Sequence, residues 1–321
     1  MTDRPWRVLI HPFYFLPEQW NGMDEHLLLL SRHLDRSRFE LLLLTHPTDG
    51  PQSQALAERA GIRAIAAPYG SGAGFRQRVA ALRALYARER VDLVHLHSPA
   101  AGGQAASALA ARLAGVKATL ATYHQVQAQR LSAKSRLVNS LTHRFLVRRT
   151  MAVSRGVKET LVSAAGLPMA KIDVVHNGID RPSPVDGTGA VPAGLPARVP
   201  GEVWLAYFGR LSPEKGLKGV LQALARLAPC CPEARLLIAG DGPERTDLES
   251  LAAELAIADR VHFLGWRADA RAIMEQVDVV VHAPVYEGFG LAVLEAMAAG
   301  RAVVGNDSPG GVSEIIVHGQ T

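Results

Sequence analysis

Cysteine is nearly absent from this chain. The two cysteines, Cys230 and Cys231, are adjacent, so they cannot crosslink distant segments, and their spacing fits no common metal site. This argues against a disulfide-stabilised secreted protein, and we expect a reducing, cytoplasmic setting. Long apolar runs are also lacking, because none approaches the roughly 18 residues that a membrane-spanning helix needs. The opening residues lead directly into a strand-like segment, so we expect no signal peptide.

The length and the composition of the chain are those of a globular protein with a hydrophobic core. The 321 residues are enough for two domains, and 48% of them are hydrophobic while 20% are charged. The formal net charge of +5 favours anionic partners such as nucleotides or a phospholipid surface. The charge is too diffuse to indicate a nucleic acid, and no nucleic-acid recognition motif is found in the sequence.

Strand-like runs alternate with helical patterns along the whole chain, which predicts an α/β fold with parallel sheets covered on both faces. The predicted strands of the first half are Arg7–His11, Phe39–Thr45, Ile62–Ala66, Val91–Leu96, Ala118–Thr122, Arg149–Val153 and Lys171–His176, with helices at Met23–Leu34 and near 55–60, 75–90, 102–115, 132–148 and 155–165. The second half predicts strands at 203–208, 234–239, 261–264, 277–281 and 302–305, with helices near 216–228, 244–256, 268–275 and 291–299. Residues 182–201 are rich in proline and glycine, so we predict a linker there between domains 1–181 and 202–321.

One stretch near the end of the chain carries a chemical pattern. An apolar strand is followed by the turn Glu287-Gly-Phe-Gly290 and by a helix that starts at Leu291. A strand, a glycine turn and a helix start form an anion site, because unpaired amides and the helix dipole point outward. Carboxylates at Glu287 and Glu295 suit hydroxyl groups, so the expected ligand is a phosphate with sugars attached. Taken singly, Glu287 is better interpreted as an exposed turn residue and Glu295 as a solvated helix residue.

As a whole, the string from Glu287 to Glu295 resembles the E-x7-E signature of retaining GT-B glycosyltransferases, glycosyltransferase family four. This resemblance implies two Rossmann-like, doubly wound domains facing a cleft. It also implies a second domain that is incomplete at the carboxyl end, because members normally continue further. A truncated chain is expected to bind the donor but to turn over poorly.

The resemblance also assigns roles to the second domain. The loop Gly209–Gly216 follows a strand and precedes a helix, so its cations Arg210 and Lys215 can reach a ligand. By itself, such a loop is more often an ordinary surface loop, and only its pairing with the glutamate motif favours a binding role. Family likeness implies that these two cations neutralise the leaving diphosphate. It implies further that Glu287 holds the donor sugar and that Glu295 holds the ribose. The backbone amides at Gly290 and Leu291, at the start of the helix, would bind the phosphates.

Polar residues also follow the strands of the first domain. His124 resembles the family histidine that reaches the donor sugar, and Gly22 resembles one of two family glycines that lie beside the donor phosphates. Asn21 departs from the second of these glycines. His95 and His97 lie on one side of a strand, and no third ligand has a convincing spacing, so hydrogen-bonded histidines are favoured over a metal site.

The implied function is a metal-independent, hexosyltransferase-type transfer of a sugar from a nucleotide-sugar to a glycan, lipid or small molecule, with retention and without a cofactor. The donor base, the donor sugar and the acceptor are not readable from the sequence. A GT-B epimerase, a phosphorylase and an inactive nucleotide-sugar-binding protein remain alternatives. A hydrolase with Glu287 and Glu295 as its acid–base pair is a further rival, although a hydrolase needs no diphosphate clamp.

The segment 130–149 mixes basic and apolar residues in a helical pattern. Such a helix can lie on an anionic membrane surface, here the inner face of the membrane, as a peripheral contact. An ordinary surface helix with a solvated basic face is equally consistent with the pattern.

Overall fold

The computed structural model describes residues 4–13, 22–46, 50–70, 72–98, 103–126, 128–180 and 192–320. The chain separates into two compact units, Met1–Gly178 and Ile179–Thr321, and each is built on a parallel sheet. Asn21 and the part of the predicted linker at 182–191 lie outside the described residues.

The first unit is a seven-stranded sheet with helices between successive strands. Its strands are β1 (Trp6–Pro12), β2 (Phe39–Thr45), β3 (Arg63–Ala66), β4 (Leu93–Ser98), β5 (Ala118–Tyr123), β6 (Arg149–Ala152) and β7 (Ile172–Val174). Its helices are α1 (Gly22–His33), α2 (Gly50–Ala60), α3 (Phe75–Arg88), α4 (Ala105–Leu113), α5 (Ala133–Phe145) and α6 (Arg155–Ser163). The strand order is β3-β2-β1-β4-β5-β6-β7.

The four leucines of β2 show why this sheet needs helices on both faces. Leu41–Leu44 are all buried, and successive side chains of a strand point to opposite faces. Leu41 and Leu43 pack with Leu27 and Leu28 of α1 in one core cluster. The continuous apolar run is therefore a strand covered on both sides, as the sequence predicts.

The second unit is a five-stranded sheet in the order β10-β9-β8-β11-β12. Its strands are β8 (Val203–Phe208), β9 (Ala234–Ala239), β10 (Val261–Gly265), β11 (Val279–His282) and β12 (Ala302–Gly305). Its helices are α7 (Leu217–Leu227), α8 (Arg245–Glu254), α9 (Ala270–Met274), α10 (Leu291–Ala298) and α11 (Val312–Ile315). Two core clusters divide the alternating residues of β9, with Leu236 and Ile238 in one and Leu237 and Ala239 in the other.

The prediction of two doubly wound, Rossmann-like domains is confirmed. The ends of some strands and helices differ from the predicted ends by a few residues. β11 begins at Val279 rather than at residue 277, because Val277 is buried against the core and Asp278 accepts the backbone N–H of Trp204 at 2.7 Å. β7 is shorter than the predicted Lys171–His176 and covers Ile172–Val174. In the other direction, α2 is longer than the predicted 55–60.

Both sheets reverse their strand order at one point, between β1 and β4 in the first unit and between β8 and β11 in the second. Ligands of open parallel sheets bind beyond the carboxyl ends of the strands at this point. The residues that follow β8 and β11, and those that end β1 and β4, are therefore the places to look for a site.

Candidate functional site

In the second unit, the loop after β8 is fixed against its neighbours by hydrogen bonds and by a close approach of two backbone segments. The N–H of Leu211 donates to the carbonyl of Asp241 at 2.9 Å, and the Tyr207 hydroxyl donates to the carbonyl of Arg210 at 2.9 Å. Gly240 approaches so closely that an added Cβ would lie 1.8 Å from the carbonyl oxygen of Gly209. The loop that carries Arg210 is thus held in one place at the carboxyl end of the sheet.

Lys215, near the end of this loop, reaches the turn that follows β11. Its ammonium Nζ lies 2.7 Å from Glu287 Oε2, and His282 Nε2 lies 3.2 Å from the same oxygen. The backbone N–H of Gly288 donates to Glu287 Oε1 at 3.1 Å. Three residues from adjacent strand ends therefore converge on a single carboxylate.

The surroundings of Glu287 keep it ionised. Burial alone raises the pKa of this carboxyl group, but the Lys215 ammonium and the His282 ring outweigh burial and lower the pKa to about 2. The group is therefore a permanent anion near neutral pH, and it cannot serve as a proton donor. A hydrolase of the acid–base type needs a carboxylic acid with a raised pKa, so Glu287 does not suit that role.

The carboxylate and the ammonium group both have hydrogen-bonding capacity beyond this contact. A carboxylate offers about four lone-pair sites, and the three donors described above leave about one on Oε1. An ammonium group has three donors, of which one is directed at Glu287. Glu287 can therefore accept a hydroxyl while Lys215 donates to an anion, without breaking their contact.

Arg210 lies on the same loop as Lys215 and has a buried guanidinium nitrogen. Its Nε has no acceptor among the residues that the structure describes. A buried donor without a partner is costly, and a bound anion is the natural partner for a guanidinium group. The guanidinium group of Arg210 therefore has the chemistry that the expected contact with a phosphate requires.

The turn after Glu287 leads into α10, as the sequence predicts. Gly290 adopts φ +104°, a conformation that side chains disfavour, and α10 begins at Leu291. The first amides of a helix have no intrahelical acceptor, so the Leu291 end of α10 can bind an anion. Glu295 is half-buried on the second turn of this helix.

In the first unit, the structure brings together histidines from different elements. His97 of β4 and His124, just after β5, have ring nitrogens 3.1 Å apart, and His95 Nε2 lies 2.8 Å from Thr122 Oγ1. Burial, followed by the proximity of His26 and His95, lowers the pKa of His124 well below its ordinary value. His124 is therefore a neutral hydrogen-bonding group near neutral pH. Gly22, the predicted phosphate-side glycine, is the first residue of α1 and is exposed.

Two residues of these sites were not singled out from the sequence. His282 is the last residue of β11, and His26 lies on α1 with its ring 4.9 Å from that of His124. Their positions in the chain were the feature that could have identified them. His282 ends a strand, and His26 lies in the first turns of the helix that follows the first strand. Both positions belong to the carboxyl-end edge of a parallel sheet, where ligands bind.

The described part of the chain contains no helix with both the length and the apolar character needed to cross a bilayer. Its helices are shorter than a membrane-spanning helix; for example, α3 has 14 residues.

Relatives share part of this sequence. The 2-deoxystreptamine glucosyltransferase of Streptomyces kanamyceticus is 32% identical over 217 residues, which cover 62% of this chain and 54% of that protein. The uncharacterized glycosyltransferase YqgM of Bacillus subtilis is 32% identical over 244 residues, which cover 73% of this chain and 63% of YqgM. The chain thus spans between half and two thirds of the length of these relatives.

Solved structures share the fold. The crystal structure of Anabaena HepE in complex with UDP and glucose matches with a TM-score of 0.75 at 23% identity, over 98% of this chain and 84% of HepE. The expected GT-B fold class is thereby confirmed. Residues 20–181 match the family described as Glycosyltransferase Family 4, and residues 197–321 match Glycosyl transferases group 1. The chain therefore belongs to the glycosyltransferases, with a family 4 region in its first unit and a group 1 region in its second.

Proposed function

We propose that this chain transfers a hexose from a nucleoside-diphosphate sugar to an acceptor, with retention of configuration at the anomeric carbon. The observation that carries the proposal is the Lys215–Glu287 contact, at 2.7 Å, where the strand order of the second sheet reverses. It places a cation and a hydroxyl-accepting anion side by side. A donor that has a diphosphate joined to a sugar offers a partner to each of them.

Each candidate residue has a role that its chemistry suits. Lys215 and Arg210 would neutralise the leaving diphosphate, and the Leu291 end of α10, after Gly290, would bind its oxygens. The remaining lone pair of Glu287 would accept a hydroxyl of the donor sugar. Glu295 would accept the ribose hydroxyls, as the family resemblance implies.

The first unit would contribute Gly22 beside the donor phosphates and the neutral His124 for the donor sugar. In the transfer, the bond between the anomeric carbon and the phosphate oxygen breaks, and a bond from that carbon to the acceptor oxygen forms. The acceptor proton passes to the leaving phosphate, so no protein base and no metal is required. The proposed acceptor is a glycan, a lipid or a small molecule.

Nucleotide release tests this proposal. The chain is incubated with UDP-glucose first, because UDP and glucose are present in the HepE structure, and then with other nucleotide-hexoses. We expect release that depends on an added glycan, lipid or small-molecule acceptor, and a product whose anomeric configuration, read by NMR, equals that of the donor. An inverted product contradicts retention. A changed sugar on intact nucleotide indicates an epimerase, phosphate-dependent release of a sugar phosphate indicates a phosphorylase, and binding without either indicates a binding protein.

Helix α5 supports a second proposal, that the first unit docks on an anionic phospholipid surface from the cytoplasmic side. Its apolar side chains face solvent, since Leu137 is 60% and Phe145 67% exposed, and Leu141 is exposed on the same face. Polar side chains are turned inward instead, and His143 is buried between Tyr123 and Thr150 with hydrogen bonds of 2.8 Å to each hydroxyl.

The charges around this exposed apolar face suit an anionic partner. Lys134 and Arg144 of α5 are both exposed beside it. Exposed apolar residues flanked by cations are the combination that anionic membrane surfaces bind. A peripheral contact of this kind needs no spanning helix.

Vesicle co-sedimentation tests the docking. We expect binding to anionic vesicles that weakens as salt rises, because charge is screened over about 8–10 Å at ordinary ionic strength. Phe145→Ser should lower the binding by about tenfold or more, since burying a large apolar side chain contributes about 1.5–3 kcal/mol. The matched control is Leu113→Ser on α4, which changes a side chain that is 51% exposed outside this face. Equal binding to neutral vesicles, or equal losses in both variants, contradicts the proposal.

A further inference from the structure

Three histidines of the first unit converge from three different elements: His26 of α1, His97 of β4, and His124 after β5. One ring nitrogen from each lies within 4.8 Å of the other two. In a tetrahedral zinc site with Zn–N distances of 2.0–2.1 Å, the nitrogens are about 3.3 Å apart. The facing nitrogens of His97 and His124 are 3.1 Å apart, which is close to this spacing.

The two ring nitrogens of the buried His97 have different surroundings. Nδ1 faces His124 Nε2 at 3.1 Å, whereas Nε2 has no hydrogen-bond partner in the described part of the chain. A metal that binds Nδ1 leaves Nε2 without a partner, so the convergence of the three rings is the observation that supports a site here.

The chemistry of the cluster selects the class of ion. All three ligands are imidazoles, which suit Zn²⁺, Co²⁺ and Ni²⁺, whereas Mg²⁺ and Ca²⁺ require oxygen ligands.

We propose that His26, His97 and His124 form a three-histidine site for a divalent transition metal, with Zn²⁺ as the physiological candidate. Three protein ligands leave the fourth tetrahedral position open to water or to a hydroxyl. This site goes beyond the proposed transfer, which uses no metal. One consequence rests on the proposed function: a metal bound to His124 withholds this side chain from the donor sugar, so Zn²⁺ inhibits nucleotide release.

Cobalt titration of the full, metal-stripped chain tests the site without any turnover. Tetrahedral Co²⁺ bound to imidazoles has intense visible absorption bands, and Zn²⁺ should displace it. We expect equimolar binding in the wild-type chain. His26→Gln should weaken it by more than about a hundredfold, because loss of an outer-shell partner alone costs 10–100-fold. His26 is half-buried, so this substitution is expected to leave the fold intact.

The matched control is His33→Gln, which removes an exposed histidine from the same helix and should bind Co²⁺ as the wild type does. Zn²⁺ should raise the melting temperature of the wild type and of the control but not that of His26→Gln, since a ligand that binds the native state stabilises it. His124→Gln must reproduce the loss seen with His26→Gln. Absence of the absorption bands, or equal affinity in His26→Gln and His33→Gln, overturns the proposal. Because binding is read by absorption, this result is independent of whether transfer is observed.

Discussion

Lys215→Met is expected to weaken the binding of nucleoside diphosphates by about a hundredfold while it leaves nucleoside binding unchanged. A lost charge-assisted hydrogen bond alone costs about 1.5–3 kcal/mol, which is about 10- to 150-fold in affinity. The substitution also strands the carboxylate of Glu287, whose Oε2 lies 2.7 Å from Lys215 Nζ in the wild type. An unbalanced anion beside the diphosphate adds repulsion to the lost attraction.

The same substitution should lower the stability of the second unit. Glu287 and Lys215 are largely buried, with side chains 13% and 22% exposed, and removing one partner of a buried pair costs about 3–5 kcal/mol. The pair's contribution depends on pH, because the folded pKa of Glu287 is about 2 against an ordinary 4.5. A depressed carboxyl pKa stabilises the folded state above about pH 4.5, and that stability is lost as the pH falls towards 2.

Calorimetry with a diphosphate and its bare nucleoside, together with thermal unfolding, measures both effects. The control is the double variant Lys215→Met/Glu287→Gln. It carries no stranded charge, so it should recover most of the stability but not the diphosphate affinity. Arg210→Ala should weaken the binding of the nucleoside diphosphate by about tenfold or more. Equal losses for nucleoside and diphosphate would remove Lys215 and Arg210 from the phosphate site.

The fold was predictable from the sequence because its strands are buried on both faces. Leu41–Leu44 and Val279–Val281 are continuous β-rich apolar runs, and such runs separated by helical patterns indicate a parallel sheet. The ends of elements were less predictable, because they depend on single contacts between elements. The side chain of Asp278, which accepts the N–H of Trp204, is one example.

The site was predictable as a set of residues but not as an arrangement. Lys215 and Glu287 were assigned to different parts of a donor, and their contact joins residues 72 positions apart. It exists because β8 and β11 are neighbours in the sheet although β9 and β10 separate them in the chain. His282 was missed because a lone histidine at a strand end has no distinguishing pattern until its partner is known.

The exposed face of α5 is a feature that the sequence pattern predicted only in part. The sequence indicated a basic amphipathic helix, but an alternation of apolar and polar residues does not say which side faces the core. In the structure, Asn139, Thr142 and His143 are buried, and Leu137 and Phe145 are exposed. The inversion arises because the hydroxyls of Tyr123 and Thr150 hold the ring of His143, and these hydroxyls belong to β5 and β6, the strands on either side of α5 in the chain.

Gly240→Ala is expected to destabilise the second unit by about 3 kcal/mol or more. The new Cβ would lie 1.8 Å from the carbonyl oxygen of Gly209 and 2.9 Å from its carbonyl carbon. Overpacking typically costs about 1–3 kcal/mol, and here the obstacle is backbone, which cannot turn aside as a side chain can. The unfolding temperature of this unit should fall by about 10 °C.

The displaced backbone is the start of the loop that carries Arg210, so Gly240→Ala should also weaken diphosphate binding in the fraction that remains folded. The matched control is Gly219→Ala in α7, where an added Cβ has no atom within 4 Å. Alanine is the better helix former by about 0.5–1 kcal/mol, so the control should be stabilised and should bind the diphosphate normally. Thermal unfolding and calorimetry on the two variants separate the effects. If Gly240→Ala unfolds at the wild-type temperature, the backbone of Gly209 yields at little cost, and the close approach does not hold Arg210 in place.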